Sequence, residues 1–206
     1  MIQKREYYLC MIRKDKEYMK IIKKFQYNSP VILTFAIVSL FVFLLGEITR
    51  GMTTSLFFST YRSSLLNPLS YIRIFGHVLG HASLEHYTGN ILLILLLGPM
   101  LEEKYGSKNI LIMIAITAAI TGLIHNLLFP FGLLGASGIV FMLIILASMA
   151  SAEEGKIPLT LVAAVIIYLG DEIVAGILRE DNISQLTHII GGICGGVFGM
   201  LQIKRR

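Results

Sequence analysis

The sequence predicts an all-α, polytopic membrane protein: a bundle of six transmembrane helices with both termini cytoplasmic. Three observations predict it. First, 55% of the 206 residues are hydrophobic and only 15% are charged, with a mean hydropathy of +0.72; a soluble domain carries about 25% charged residues. Second, several stretches approach the ~20 apolar residues a helix needs to cross a bilayer. They are continuously apolar and do not alternate with period two, so helices, not barrel strands, would satisfy the backbone in lipid. Third, the basic residues are divided unevenly between the two sides that six spans create.

Taken in order, residues 1–29 form a basic cytoplasmic segment and residues 30–206 one six-helix domain. Pro30 opens the first span, 30–48. Residues 49–84, rich in Ser, Thr and Tyr, read as a structured loop at the membrane surface. The second span covers about 85–105 and ends at Glu102-Glu103-Lys104, and the third about 108–125. Pro130 and Gly132 break the apolar run before the fourth, about 136–152. The fifth starts near Pro158 and fades around Asp171-Glu172. Arg179 to Gln185 reads as a loop, and the sixth span, about 187–203, ends in Lys204-Arg205-Arg206.

Eight of the eighteen Lys/Arg residues precede residue 25. With Lys104, Lys108, Lys156 and the C-terminal three they make fourteen on one side, against Arg50, Arg62, Arg73 and Arg179 on the other. The positive-inside rule therefore sets both termini in the cytoplasm. The same flank is expected to touch anionic lipid headgroups; no nucleic-acid partner is called for. Cys10 and Cys194 fall on or near the reducing side, so no disulfide framework is expected, and with no CxxC there is no structural zinc site.

Polar groups at membrane depth are costly, so each is a candidate functional residue. Gly135-Ala136-Ser137-Gly138 opens the fourth span. Backbone N–H groups at a helix N-terminus are not spent on helix bonds and suit a developing oxyanion; a capping serine with packing glycines has the same pattern. His188 opens the sixth span, with Gly191, Gly195 and Gly199 on the same face. That stripe admits a close partner helix, naturally the one bearing Ser137, whose proton a neutral imidazole can take. His77 and His81 are four apart, as are His86 and Asn90, so each pair is expected to share a helix face. His86 and Asn90 can donate hydrogen bonds to an oxyanion. All three clusters should lie at one depth on the outer side.

In these motifs the chain resembles the rhomboid intramembrane proteases, over about residues 30–204. Arg73 and His77, then His81, His86 and Asn90, follow the family's Arg/His/His/Asn spacing. Gly98, Glu102 and Gly106 form its Gly-xxx-Glu-xxx-Gly; Gly135 to Gly138 its GxSG; His188, Gly191 and Gly195 its His-xx-Gly-xxx-Gly. The resemblance implies a serine endopeptidase of the cell membrane, as in bacteria, cleaving transmembrane segments of other proteins without cofactor or metal. Ser137 is implied as nucleophile and His188 as base, with His86, Asn90 and the Ser137 N–H as oxyanion hole. His81 would support the site and its water, Glu102 would tie the inner end of the bundle, and the fifth helix would gate substrate entry. Phe141 stands where many members have Tyr; it can still stack on His188 but brings no hydroxyl. Ile72 stands where Trp is common.

Three other readings fit less of the sequence. A metallopeptidase with EExxxR and HxxxN motifs matches Glu102-Glu103 and His86-xxx-Asn90, but Ser107 replaces the Arg and the two motifs fall at opposite membrane faces. A catalytically silent relative that binds membrane helices usually lacks the serine or the histidine. A transporter would use Asp171 and Glu172 as ion ligands, but the chain has no internal repeat.

Overall fold

A computed structural model describes residues 27–150, 156, 157, 159, 160, 162, 163, 166, 167 and 182–203. The basic flank before Tyr27, most of the expected fifth span with Asp171 and Glu172, Arg179 and the C-terminal Lys204-Arg205-Arg206 lie outside the described residues. Seven α-helices are bounded within them: α1 (Pro30–Ile48), α2 (Met52–Phe57), α3 (Pro68–Gly76), α4 (Leu84–Tyr105), α5 (Ser107–Leu128), α6 (Ser137–Met149) and α7 (Asn182–Ile203), with a 3₁₀ turn at His77–Leu79; the described residues between 159 and 167 are also helical. The molecule is all-α, and α1, α4 and α5 are each long and apolar enough to cross a membrane.

Glu102 fixes how α1 enters the bundle. Ser29, at the N-cap of α1, adopts φ 50° and offers no side-chain cap, and Pro30 follows at the first helical position. The donors left over are taken by Glu102, whose Oε1 accepts from Val31 N and Oε2 from Ile32 N, both at 3.0 Å. A carboxylate at a helix N-terminus also complements the helix dipole, which explains why a charge that is 3% exposed is tolerated. One turn away, Gly98 lets Ile32 in: a Cβ there would stand 2.6 Å from its Cδ1. Gly106, at φ 83°, turns the chain from α4 into α5, and its N–H caps the Glu102 carbonyl at 2.8 Å. Each residue of the Gly98/Glu102/Gly106 pattern thus has a distinct role at one end of the bundle.

α6 is the central helix, with nine of its thirteen residues buried. At 1.5 Å per residue it is ~20 Å long, about 10 Å short of a ~30 Å hydrocarbon core. The Lys104 ammonium donates to the carbonyl of Ala150, which anchors the Met149 end of α6 beside the Glu102 end of α4. α7 runs directly against α6. A Cβ on Gly191 would collide with the Gly138 carbonyl and one on Gly195 with that of Met142, while at Gly199 it would meet Met149 Sδ at 2.6 Å. The glycine stripe is a backbone-to-backbone contact at Gly191 and Gly195 and rests on the Met149 side chain at Gly199.

The segment between α1 and α4 is structured, as its composition suggested, by α2, α3 and the 3₁₀ turn. Two expectations need correction. Asn182–Gln185, read as part of a loop, is the first turn of α7. Ile183, Leu186 and Ile190 keep a helical 3–4 spacing through the polar stretch, and polarity says where a helix leaves the apolar layer, not where it ends. His77 and His81 do not share a helix face. The chain leaves the 3₁₀ turn at Gly80, which is extended (φ −76°, ψ 143°) and passes so close to Phe58 that any Cβ would strike the Phe58 carbonyl.

Candidate active site

Ala136 is the N-cap of α6 and Ser137 its first residue, so Ser137 does not cap the helix. The bend that delivers it is made at Gly135, whose φ of 127° only glycine adopts readily. Gly135 N–H donates to the His77 carbonyl at 2.9 Å. The position its Cβ would take is 2.7 Å from His86 Cε1 and Nε2 and 3.8 Å from Asn90 Nδ2. The imidazole and amide of α4 therefore close over the backbone two residues ahead of Ser137. Both come from the first two turns of α4, whose N-cap Ser83 Oγ accepts from His86 N at 3.1 Å. The Asn90 Nδ2 donor is buried and has no hydrogen-bond partner among the described residues.

α7 brings its second turn to the same end. Gly138 faces Thr187, with Thr187 Cγ2 3.1 Å from where a Gly138 Cβ would be. The His188 ring stacks on Phe141, centroids 4.3 Å apart and planes 5° apart. Phe141 is one turn along α6 from Ser137, on the same face. The hydroxyl that Phe141 lacks is not needed for this stacking.

The remaining predicted residues stand further off. His81 meets His86 edge to face, ring centroids 5.0 Å apart; its Nδ1–H donates to the Leu79 carbonyl at 3.2 Å. Arg73 is buried in the connecting segment, where Nε donates to the Leu56 carbonyl at 2.8 Å and the guanidinium lies 4.5 Å over the Tyr61 ring. It braces the segment and is not brought to Ser137. Glu102 is sixteen residues along α4 from His86, or ~24 Å.

The loop 129–136 that carries Ser137 to α6 is pinned from both sides. Thr60 and Leu133 exchange backbone hydrogen bonds at 2.9 and 2.8 Å, and Arg62 N–H donates to the Phe129 carbonyl at 2.8 Å. From α5, His125 Nε2–H donates to the Phe131 carbonyl at 2.8 Å, and Asn126 Nδ2 donates to the Tyr61 carbonyl at 2.7 Å and Ser63 Oγ at 2.8 Å. Thr121 Oγ1 lies 3.3 Å from His77 Nε2. Sequence reasoning missed Thr121, His125 and Asn126, although a signal was present. Thr117, Thr121 and His125 recur every four residues in an otherwise apolar helix, the mark of a polar seam facing protein.

His77 and His81, in the segment between α1 and α4, are electrically quiet. Burial pushes both down to about 4, against the hydrogen bond to Ile74 in the first case and assisted by His86 in the second. Among the described residues no three His, Cys, Asp or Glu side chains stand close enough to share a metal ion.

A family model described as the Rhomboid domain matches residues 68–205. Rhomboid protease GluP of Bacillus subtilis is 29% identical over 205 residues, covering 94% of this chain and 39% of the relative. Rhomboid protease GlpG of Haemophilus influenzae is 25% identical over 142 residues, covering 65% of this chain and 71% of the relative. The chain thus spans well under half the length of the first of these proteins.

Proposed function

The chain belongs to the rhomboid family and is an integral membrane protein, and on that premise we propose that it is an intramembrane serine endopeptidase. It cleaves transmembrane segments of other membrane proteins, using Ser137 as nucleophile and His188 as base. The observation that carries this reading is the closure of His86 and the partnerless Asn90 amide over Gly135, two residues before a serine at the first position of a buried helix. Six spans, with both termini in the cytoplasm of a bacterial cell, complete the proposed architecture.

In this mechanism His188 takes the Ser137 hydroxyl proton as Oγ attacks the scissile carbonyl. The new oxyanion is held by the Ser137 N–H, His86 and Asn90. His188 returns the proton to the leaving amine, and water repeats the sequence on the acyl-enzyme to release the second product. A stable substrate helix hides its carbonyls in its own hydrogen bonds, so good substrates carry helix-weakening Gly or Pro near the cut; the family resemblance implies a small residue before it. Labelling tests the assignment: a fluorophosphonate reagent should modify the parent protein at Ser137 and leave Ser137→Ala unmodified, in the presence of chelator. Equal labelling of both proteins would contradict it.

A further inference from the structure

Beside the nucleophile loop lies a cavity of about 220 Å³, between the end of α1, α2 and the loop itself; its lining includes Glu47, Thr54, Ser55, Ser59, His81 and Leu134. Leu134 is three residues ahead of Ser137, and Ser59 Oγ stands 2.6 Å from where a Gly132 Cβ would be. Through Leu134 and Ser59 the cavity therefore lies against the loop that delivers Ser137. Glu47 is the one charged residue of the lining, and among the described residues no ion pair engages it. His81 is 4% exposed. Its Nδ1 lies 3.2 Å from the Leu79 carbonyl and 3.4 Å from Ser39 Oγ, and Nε2 has no partner among the described residues. The Glu47 carboxylate and the hydroxyl oxygens of Thr54, Ser55 and Ser59 give the cavity acceptors, and no Lys or Arg lines it.

We propose that this cavity is a specificity subsite that takes a lysine or arginine side chain of the substrate, within about four residues of the cleaved bond, with its charge against Glu47. The volume suits one long side chain. A basic residue flanking a membrane span would carry its apolar stem along Leu134 and its charge outward to Glu47. This inference rests on the protease reading for its substrate but on its own residues for its selectivity.

The test uses the full-length protein with single-span substrates in which each residue within four positions of the cut is set in turn to Lys, norleucine or Glu. At one position, kcat/KM should fall about threefold to fivefold from Lys to norleucine, the range of an exposed ion pair, and further to Glu. Glu47→Gln should erase the difference, Glu47→Lys should reverse it, and raised salt should shrink it. A preference unchanged in Glu47→Gln, or no charge preference at any position while cleavage remains dependent on Ser137, overturns the subsite alone. Absence of any cleavage overturns the protease reading instead. The subsite is then decided by binding of the Lys and Glu peptides: equal affinities reject it, and a Lys preference lost in Glu47→Gln sustains it.

Discussion

Asn90 offers a perturbation whose effects on folding and on catalysis should have opposite signs. Its Nδ2 donor is buried without a partner among the described residues, and a buried, unsatisfied donor costs about 1–3 kcal/mol. Replacing it by leucine, which has the same branched shape with two bulkier methyl groups in place of the amide oxygen and nitrogen, removes that cost in a side chain that is 8% exposed. Stability should therefore hold or rise by up to ~1–2 kcal/mol. Turnover should behave differently. An oxyanion donor is worth about 3–4 kcal/mol in the transition state, or roughly 100- to 1,000-fold in kcat, while substrate affinity should change little because the charge develops only after binding. The assay pairs detergent-solubilised unfolding with cleavage of a single-span substrate for the parent, Asn90→Leu, Asn90→Ala, His86→Ala and the double mutant. Parental turnover in Asn90→Leu refutes the donor role. A loss of turnover that merely follows a loss of stability shows Asn90 to be a packing residue.

Other predictions follow from the same geometry. Gly135→Ala places a methyl 2.7 Å from the His86 ring at a φ of 127°, so kcat should fall at least as far as in His86→Ala; turnover within threefold of the parent contradicts the placement of His86. Glu102→Ala strands the Val31 and Ile32 N–H groups and should lower stability by ~3–5 kcal/mol, from two charge-assisted bonds; Glu102→Gln, which keeps one acceptor, should lose about half, and an Ala variant as stable as the parent refutes the cap. His77, held down to about 4 by burial, stays unprotonated while the unfolded chain gains its proton near the ordinary ~6.5. Its contribution is complete above that ordinary value and is lost as pH falls toward 4, up to ~3 kcal/mol. Unfolding from pH 7.5 to 4.5 should be less steep in His77→Asn than in the parent, without becoming flat because His81 is also held down; identical slopes contradict it.

What was legible in the sequence was what periodicity and composition encode. Pro30, the apolar runs and Gly106 mark the helix boundaries of α1, α4 and α5 because each acts locally. The Gly191/Gly195/Gly199 stripe was legible because small residues at four-residue spacing have one main use between membrane helices. His86 and Asn90 were legible for the same reason, sharing one helix face. The end of the 3₁₀ turn at Gly80 was not, since the contact that requires glycine there is with Phe58, twenty-two residues earlier, and without that break the His77/His81 spacing looks helical. Nor was the clamp on loop 129–136. Arg62 and His125 hold it through backbone carbonyls, and Asn126 holds the adjoining segment through that of Tyr61; a carbonyl acceptor leaves no trace in the identity of the residue that supplies it.

The central claim is that Ser137 is a nucleophile acting on membrane-embedded substrates. The most direct measurement incubates the purified full-length protein with a panel of single-span substrates, in parallel with Ser137→Ala shown to be folded by its unfolding transition. The account predicts that at least one substrate is cut within or beside its transmembrane segment by the parent, and that the Ser137→Ala protein cuts none. Substantial cleavage by folded Ser137→Ala, or no cleavage of any substrate by the parent, would contradict it.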